Sequence, residues 1–259
     1  CGGTQGSNFI PTTGINQNYQ GGQSDGFLVH ISADGQNLLA STFLGTNDYD
    51  QAISYYEMAL TKAKTEQDQR NIALITNDLG IVFWKKGDYP QAIAYHFEAD
   101  ELADQLEDAD LKMRTLLSLG IIHNECSYND EAQKIYRKAL MLAEEVNHQR
   151  AKGLILNNLG KVYRDLQDYV ISDQYFTTAL KHFQSLENTY WEGLCYYNLG
   201  FNHQLQQNYA PAIQQYKRAL KLNKVTQDKD REVMILTGLA KNYEAQKQDQ
   251  PAIQAAQSA

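Results

Sequence analysis

From Tyr49 onward, apolar side chains recur at i, i+3 and i+4, the spacing that lays one stripe along an α-helix. Residues 153–165 (GLILNNLGKVYRD) predict one such helix. Its partner is predicted from Tyr169 to Glu187, where Tyr175, Phe176, Ala179, Leu180 and Phe183 fall in phase. Short polar turns such as Lys86-Gly87-Asp88 separate helix A from helix B of each pair. Ahead of Tyr49 the pattern is different. Phe27, Val29 and Ile31 alternate with polar neighbours, the signature of a half-buried strand, and Asp34-Gly35 is a hairpin-type turn.

The helical part repeats. Leu79-Gly80, Leu119-Gly120, Leu159-Gly160, Leu199-Gly200 and Leu239-Ala240 recur every 40 residues. Tyr89, Tyr169 and Tyr209 follow nine residues after three of these glycines. A small residue comes next (Ala92, Ala132, Ser172, Ala212, Ala252), and then Ala99, Ala139, Ala179 and Ala219, the last three followed by Leu140, Leu180 and Leu220. A lone hairpin of this kind cannot bury its apolar face, so neighbouring hairpins must stack to form the core. The glycine column lets the paired helix approach closely.

Composition divides the chain at the same place. Residues 1–48 contain no Lys or Arg and hold nine of the 17 glycines, while charges of both signs appear beyond Tyr49. Two parts are therefore expected, a Gly-rich β-type segment over 1–48 and a helical repeat domain over 49–259. The net charge of -8 argues against a general nucleic-acid binder, which needs a basic stripe. No run of about 18 apolar residues is present to span a membrane. Cys1, Cys126 and Cys195 lie far apart and form no CxxC, so neither a disulfide framework nor a metal site is expected. The histidines (His30, His96, His123, His148, His182, His203) show no HExxH pairing, and there is no GxGxxG or Walker pattern. The reading is a non-enzyme without a cofactor.

The columns of 49–259 resemble the tetratricopeptide repeat, which uses Leu-Gly in helix A, an aromatic three residues on, then Ala, an aromatic and Ala in helix B. The first aromatic here is Phe83, Tyr163 or Tyr243 at that spacing, or Phe201, one residue after its Gly. The period of 40 exceeds the commoner ~34 and is similar to the longer-helix versions of kinesin light chains and bacterial peptide-sensing regulators. The resemblance implies a mostly α fold, a right-handed α-α superhelix, with a short N-terminal β-hairpin-like segment. That segment resembles one SBBP bacterial β-propeller repeat, carried by residues 8–14, 21–29, Asp34-Gly35 and 38–45. One such repeat cannot close a ring. Leu39-Ala40, Phe43, Asp48, Tyr49 and Ala52 also keep phase with the 40-residue columns. Residues 33–46 thus read either as a strand, favoured by Gly35 and Gly45, or as helix A of a first repeat.

The resemblance also implies a groove along the A helices, in which an Asn two residues before the Gly bonds a peptide. Asn158 and Asn198 keep that residue, while Asp78, Ser118 and Gly238 replace it. With the neighbouring columns this places a peptide-binding site at Asn157, Asn158, Lys161, Arg164, Tyr197, Asn198 and Phe201. Amides pair with a peptide main chain in both directions, and a guanidinium forks onto a carboxylate. The ligand expected from this lining has a basic or polar end towards Asp78 and an acidic end towards Lys161 and Arg164. Structural readings stand beside these: inter-repeat hydrogen bonds for Asn157 and Asn158, a solvated pair for Arg164 with Asp165, and core packing for Phe201.

The expected partner is a protein or peptide, held by a scaffold or by the sensor module of a signalling protein. The chain begins at Cys1 and its last helix starts at Pro251, which suggests a processed or truncated product, or an artificial fusion joined at Asp48. An uncovered apolar face of Leu236, Leu239 and Tyr243 would then offer self-association through the C-terminal end. The compartment stays open between exported and cytoplasmic.

Overall fold

The structure is a computed structural model that describes the backbone of residues 26–31 and 38–44, and residues 49–247, Pro251 and Ala255 with their side chains. Strands β1 (Gly26–Ile31) and β2 (Leu38–Leu44) pair antiparallel, Gly26 opposite Leu44 and His30 opposite Ala40, with an irregularity between His30 and Ile31. Asp34-Gly35, residues 8–14, the rest of the SBBP-like pattern and Cys1 lie outside the described residues.

The rest is helical: α1 (Tyr49–Glu66), α2 (Gln69–Lys86), α3 (Tyr89–Gln105), α4 (Ala109–Glu125), α5 (Asn129–Glu145), α6 (Gln149–Asp165), α7 (Tyr169–Ser185), α8 (Thr189–Leu205), α9 (Tyr209–Thr226) and α10 (Lys229–Ala245). They fall into two compact units, divided within α3 between Leu102 and Ala103. In the first unit, Ala52, Tyr56, Ala59 and Ala63 of α1 pack on Ile72, Ile75, Leu79 and Val82 of α2. In the second, three apolar clusters follow one another along α4 to α10. The A helices are the inner layer: α6 buries nine residues, whereas its outer neighbour α5 buries four.

The glycine column works by admitting an aromatic ring. The face of Gly160 receives Phe176, that of Gly200 receives Tyr216, that of Gly120 receives Tyr136, and that of Gly80 receives His96. A Cβ on Gly160 would stand 2.7 Å from the Phe176 ring. His96 therefore packs as the aromatic of its column, fully buried, with Nδ1 3.0 Å from Asn77 Oδ1.

Every junction is built on a 20-residue beat. Gln67, Gly87, Glu107, Ser127, Asn147, Gln167, Glu187, Gln207, Gln227 and Lys247 all have positive φ. The residue after each of the first eight closes one helix and opens the next, whereas α9 is closed by Gln227 N–H on Asn223 O and Asp228 only opens α10. At Asp168, the backbone N–H donates to Tyr163 O (2.9 Å), while the carboxylate accepts from Ile171 N–H (3.1 Å). This is a Schellman C-terminus whose final residue is also an N-cap. Asp68, Asp88, Asp108, His148 and Asn188 cap in the same way, and Asp228 caps α10 by its side chain alone. Tyr128 and Asn208 make no side-chain cap.

At the C-terminal end the structure corrects an expectation. Leu236 and Leu239 are buried, packed with Ala255, rather than uncovered. The outward residues of α10 are Val233 and Met234; Val233 is exposed where the matching Met113, Gly153 and Gly193 are buried, and Met234 is exposed where Arg114, Leu154 and Leu194 are half-buried.

Candidate functional site

Lys161 and Arg164 stand one turn apart on α6, and Tyr197, Asn198 and Phe201 span one turn of α8. The close seating of Phe176 on Gly160 and Tyr216 on Gly200 holds these two A helices against their B partners. Ser172 adds a hydrogen bond to Gly160 O at 2.6 Å, and Asn202 Nδ2 donates to Ser172 Oγ at 2.7 Å and to Asp173 Oδ1 at 2.8 Å. The scaffold behind the site is thus fixed by side chains of α7 and α8 as well as by packing.

The asparagines divide in role. Asn157 is buried, and its Oδ1 accepts from Asn198 Nδ2 at 2.9 Å. Asn198 Oδ1 in turn accepts from Arg164 Nη1 at 3.3 Å. A chain of two hydrogen bonds therefore joins Asn157, Asn198 and Arg164 across α6 and α8, the inter-repeat reading for Asn157. The amide of Asn158 makes no hydrogen bond among the described residues and sits at the edge of burial, 9% exposed. Asp78, expected to meet the basic end of a ligand, is buried at 3% exposure and does not face solvent.

Arg164 lies with Cζ 5.1 Å from the Phe201 ring centre and 5.8 Å from that of Phe176. Its Nε is 3.8 Å from the Asp165 carboxylate, and 13% of its side chain is exposed. Burial pulls the guanidinium below its ordinary pKa, opposed by Asp165. Burial and then the Arg164 charge lower the Lys161 ammonium in the same direction. Lys161 forms no ion pair among the described residues. Two cations thus share a partly dehydrated patch, where the carboxylates of Glu125 and Asp165 act on Lys161 and Asp165 lies 3.8 Å from Arg164. Such a patch favours an incoming anion.

Aromatic rings supply the wall. Tyr197 stacks on Phe201 at 6.4 Å and tilts against Tyr216 at 5.7 Å. Burial raises the pKa of both tyrosine hydroxyls. Tyr216 Oη donates to Gln204 Oε1 at 3.0 Å, which also accepts from Asn242 Nδ2 at 2.7 Å. Phe176 and Tyr216 were not among the expected site residues. Their signal is the position sixteen residues after each glycine, the ring that the glycine receives. Phe201 serves both as packing and as the surface over which Arg164 lies.

Among the described residues no His, Cys, Asp and Glu cluster is suited to a metal ion, and no helix is long and apolar enough to cross a membrane. Cys126 and Cys195 are free thiols; burial, and then Glu192, push Cys195 up to about 12.

Two family models, both described as tetratricopeptide repeat, match residues 152–224 and 37–70. The first contains the α6–α9 site. The second takes in β2 and α1. Neither describes a catalytic family, and neither describes an SBBP repeat. No curated protein sequence matches the chain. Among solved structures, BtubC (BKLC) from P. vanneervenii aligns with a TM-score of 0.71 at 20% identity, over 82% of this chain and 89% of that one. A Rap protein complexed with competence and sporulation factor gives 0.66 at 14% identity, over 81% and 69%. A signal transduction ATPase with numerous domains, carrying a tetratricopeptide repeat sensor, from Pyrococcus horikoshii gives 0.64 at 19%, over 82% of this chain and 34% of that one. At these identities the likeness is one of fold: a tetratricopeptide-like helical array.

Proposed function

We propose that the chain is a protein-interaction module that holds a peptide segment of another protein along α6 and α8. The observation that carries this reading is the Lys161–Arg164 pair, two cations one turn apart in a partly buried aromatic setting, with Asp165 3.8 Å from Arg164 and Glu125 also acting on Lys161. A peptide carboxylate pairs with these cations, Asn158 meets the peptide main chain, and Tyr197 and Phe201 flank it. Asn198 and Asn157 hold the two A helices in register behind the contact. The repeat-family matches and the likeness to a Rap protein complexed with a factor support a peptide or protein as ligand.

A sensor module is the second reading, favoured by one feature of the site. Arg164 reaches a ligand by releasing Asn198 Oδ1, and Asn198 also bonds Asn157. Occupancy therefore acts directly on the joint between two repeats. A change in radius of gyration by small-angle scattering when peptide is added would favour the sensor, and an unchanged value the plain scaffold.

Calorimetric titration with peptides ending in a free acidic C-terminus tests the site. Lys161→Gln is expected to weaken binding about tenfold, roughly 1.4 kcal/mol, with the unfolding midpoint unchanged. Equal affinity for a charge-reversed peptide, or indifference to Lys161→Gln, removes the proposal.

A further inference from the structure

Two helices three periods apart carry opposite charge in the same columns of their outer faces. On α3 the solvent-facing stripe is Phe97, Glu98, Glu101 and Asp104, all exposed. On α9 the same columns hold Lys217, Arg218, Lys221 and Lys224, also exposed. The surroundings reinforce the contrast. No Lys or Arg occurs between Lys86 and Lys112, and no Asp or Glu occurs between Glu192 and Asp228.

These charges are largely unspent within the chain. Among the described residues Glu98 and Glu101 form no ion pair, and neither do Lys217, Arg218, Lys221 and Lys224. Asp104 has Lys112 at 2.5 Å, but its side chain remains 65% exposed and open to a second cation. Lys217 and Arg218 lie over the rings of Tyr243 and Tyr196 at 5.5 and 5.6 Å, which leaves their charge uncompensated.

We infer that α9 of one copy docks antiparallel against α3 of a second copy, a surface separate from the α6–α8 groove. In that register Glu98 lies opposite Lys224, Glu101 opposite Lys221 and Asp104 opposite Arg218. The same register brings Phe97, 49% exposed, opposite Val225, 72% exposed. This apolar pair decides the direction. The carboxylates and cations complement one another in either sense, but a parallel arrangement sets Phe97 against Lys217. The contact joins different surfaces on the two copies. It is weak and salt-labile, since exposed ion pairs each contribute little and are screened.

Sedimentation equilibrium of the whole chain tests it. Weight-average mass should rise with concentration at about 20 mM salt and return to that of a monomer at about 500 mM, where screening is strong. Glu101→Lys and Lys221→Glu should each weaken association about tenfold or more. Their equimolar mixture, and the double variant carrying both changes, should restore it, because each then pairs Lys with Glu across the contact. A chain that stays monomeric at low salt overturns the inference. So does a loss that neither the mixture nor the double variant recovers. Association untouched by either reversal would place self-contact elsewhere, such as the outward face of α10, and also overturns it. A monomeric chain that captures anionic-lipid vesicles or polyglutamate would give the basic stripe another occupant, with the same consequence.

Discussion

At Gly160 an added methyl group would press into the Phe176 ring at 2.7 Å, whereas at Gly193 it would meet Leu222 at an ordinary 3.5 Å. The two positions look alike in the sequence, both small residues in an A helix, yet they should respond with opposite sign. Gly160→Ala should destabilise by about 1–2 kcal/mol, overpacking outweighing the gain in helix propensity. Gly193→Ala should stabilise by roughly 0.5–1 kcal/mol, since only the propensity gain remains. Urea midpoints of the two variants beside the parent check both signs. The Leu-Gly column marked the close approach at Gly160, but the identity of the intruding atom is a matter of three dimensions. The same limit governed the asparagines. Asn157 and Asn158 are neighbours in sequence, and which of them turns towards the next A helix depends on where Asn198 arrives, 41 residues later. Asp78 carried an exposed-charge expectation that its burial removes.

At the scale of the element, the junctions account for what the periodic apolar pattern did not reveal. The 40-residue columns led to both helices of each pair, because a repeated stripe has one physical explanation. The 20-residue beat is not legible in the sequence because its left-handed position is glycine only at Gly87; elsewhere it is Gln, Glu, Ser, Asn or Lys. Such residues carry no turn signal, and each spends about 1–2 kcal/mol in that conformation. The neighbouring column does carry a signal, Asp or Asn at 68, 88, 108, 168, 188, 208 and 228. Asp168→Ala should therefore cost about 1 kcal/mol through the lost cap on Ile171. Tyr128→Asp should gain about 0.5–1 kcal/mol, since Tyr128 is exposed and makes no side-chain cap. Thermal midpoints moving in opposite directions would confirm the paired expectation; both falling would refute the capping account at Tyr128. The N-terminal segment was less legible. Its residues fit a strand by alternation and a helix by column, and a family model that includes 37–48 reads it as repeat.

For the molecule as a whole, stability in a stacked array is close to a sum of repeat and neighbour terms, so equivalent positions differ by what lies next to them. Met113 and Val233 occupy one column, the first 2% and the second 46% exposed. Met113→Lys should cost about 3 kcal/mol or more, by burying an unpaired charge beside the Ile155 cluster. Val233→Lys should change stability by no more than about 0.5 kcal/mol. Chemical denaturation followed by circular dichroism separates these outcomes, and a large loss from Val233→Lys would show that α10 is covered in solution.

The shared cap residue has a consequence for how such a chain can change length. Because one residue ends a helix and starts the next, no spare linker exists to absorb an insertion. One extra residue inside an A helix turns everything after it by about 100° around the axis. An insertion just after Asn157 would turn it away from its partner Asn198, while each later glycine kept the ring of its own pair. Two or three added residues fare no better, since none restores the angle together with the rise. Only a full pair of helices, with both its nodes, returns the phase. Growth and shrinkage of this array by whole duplicated units follows from the backbone of its turns.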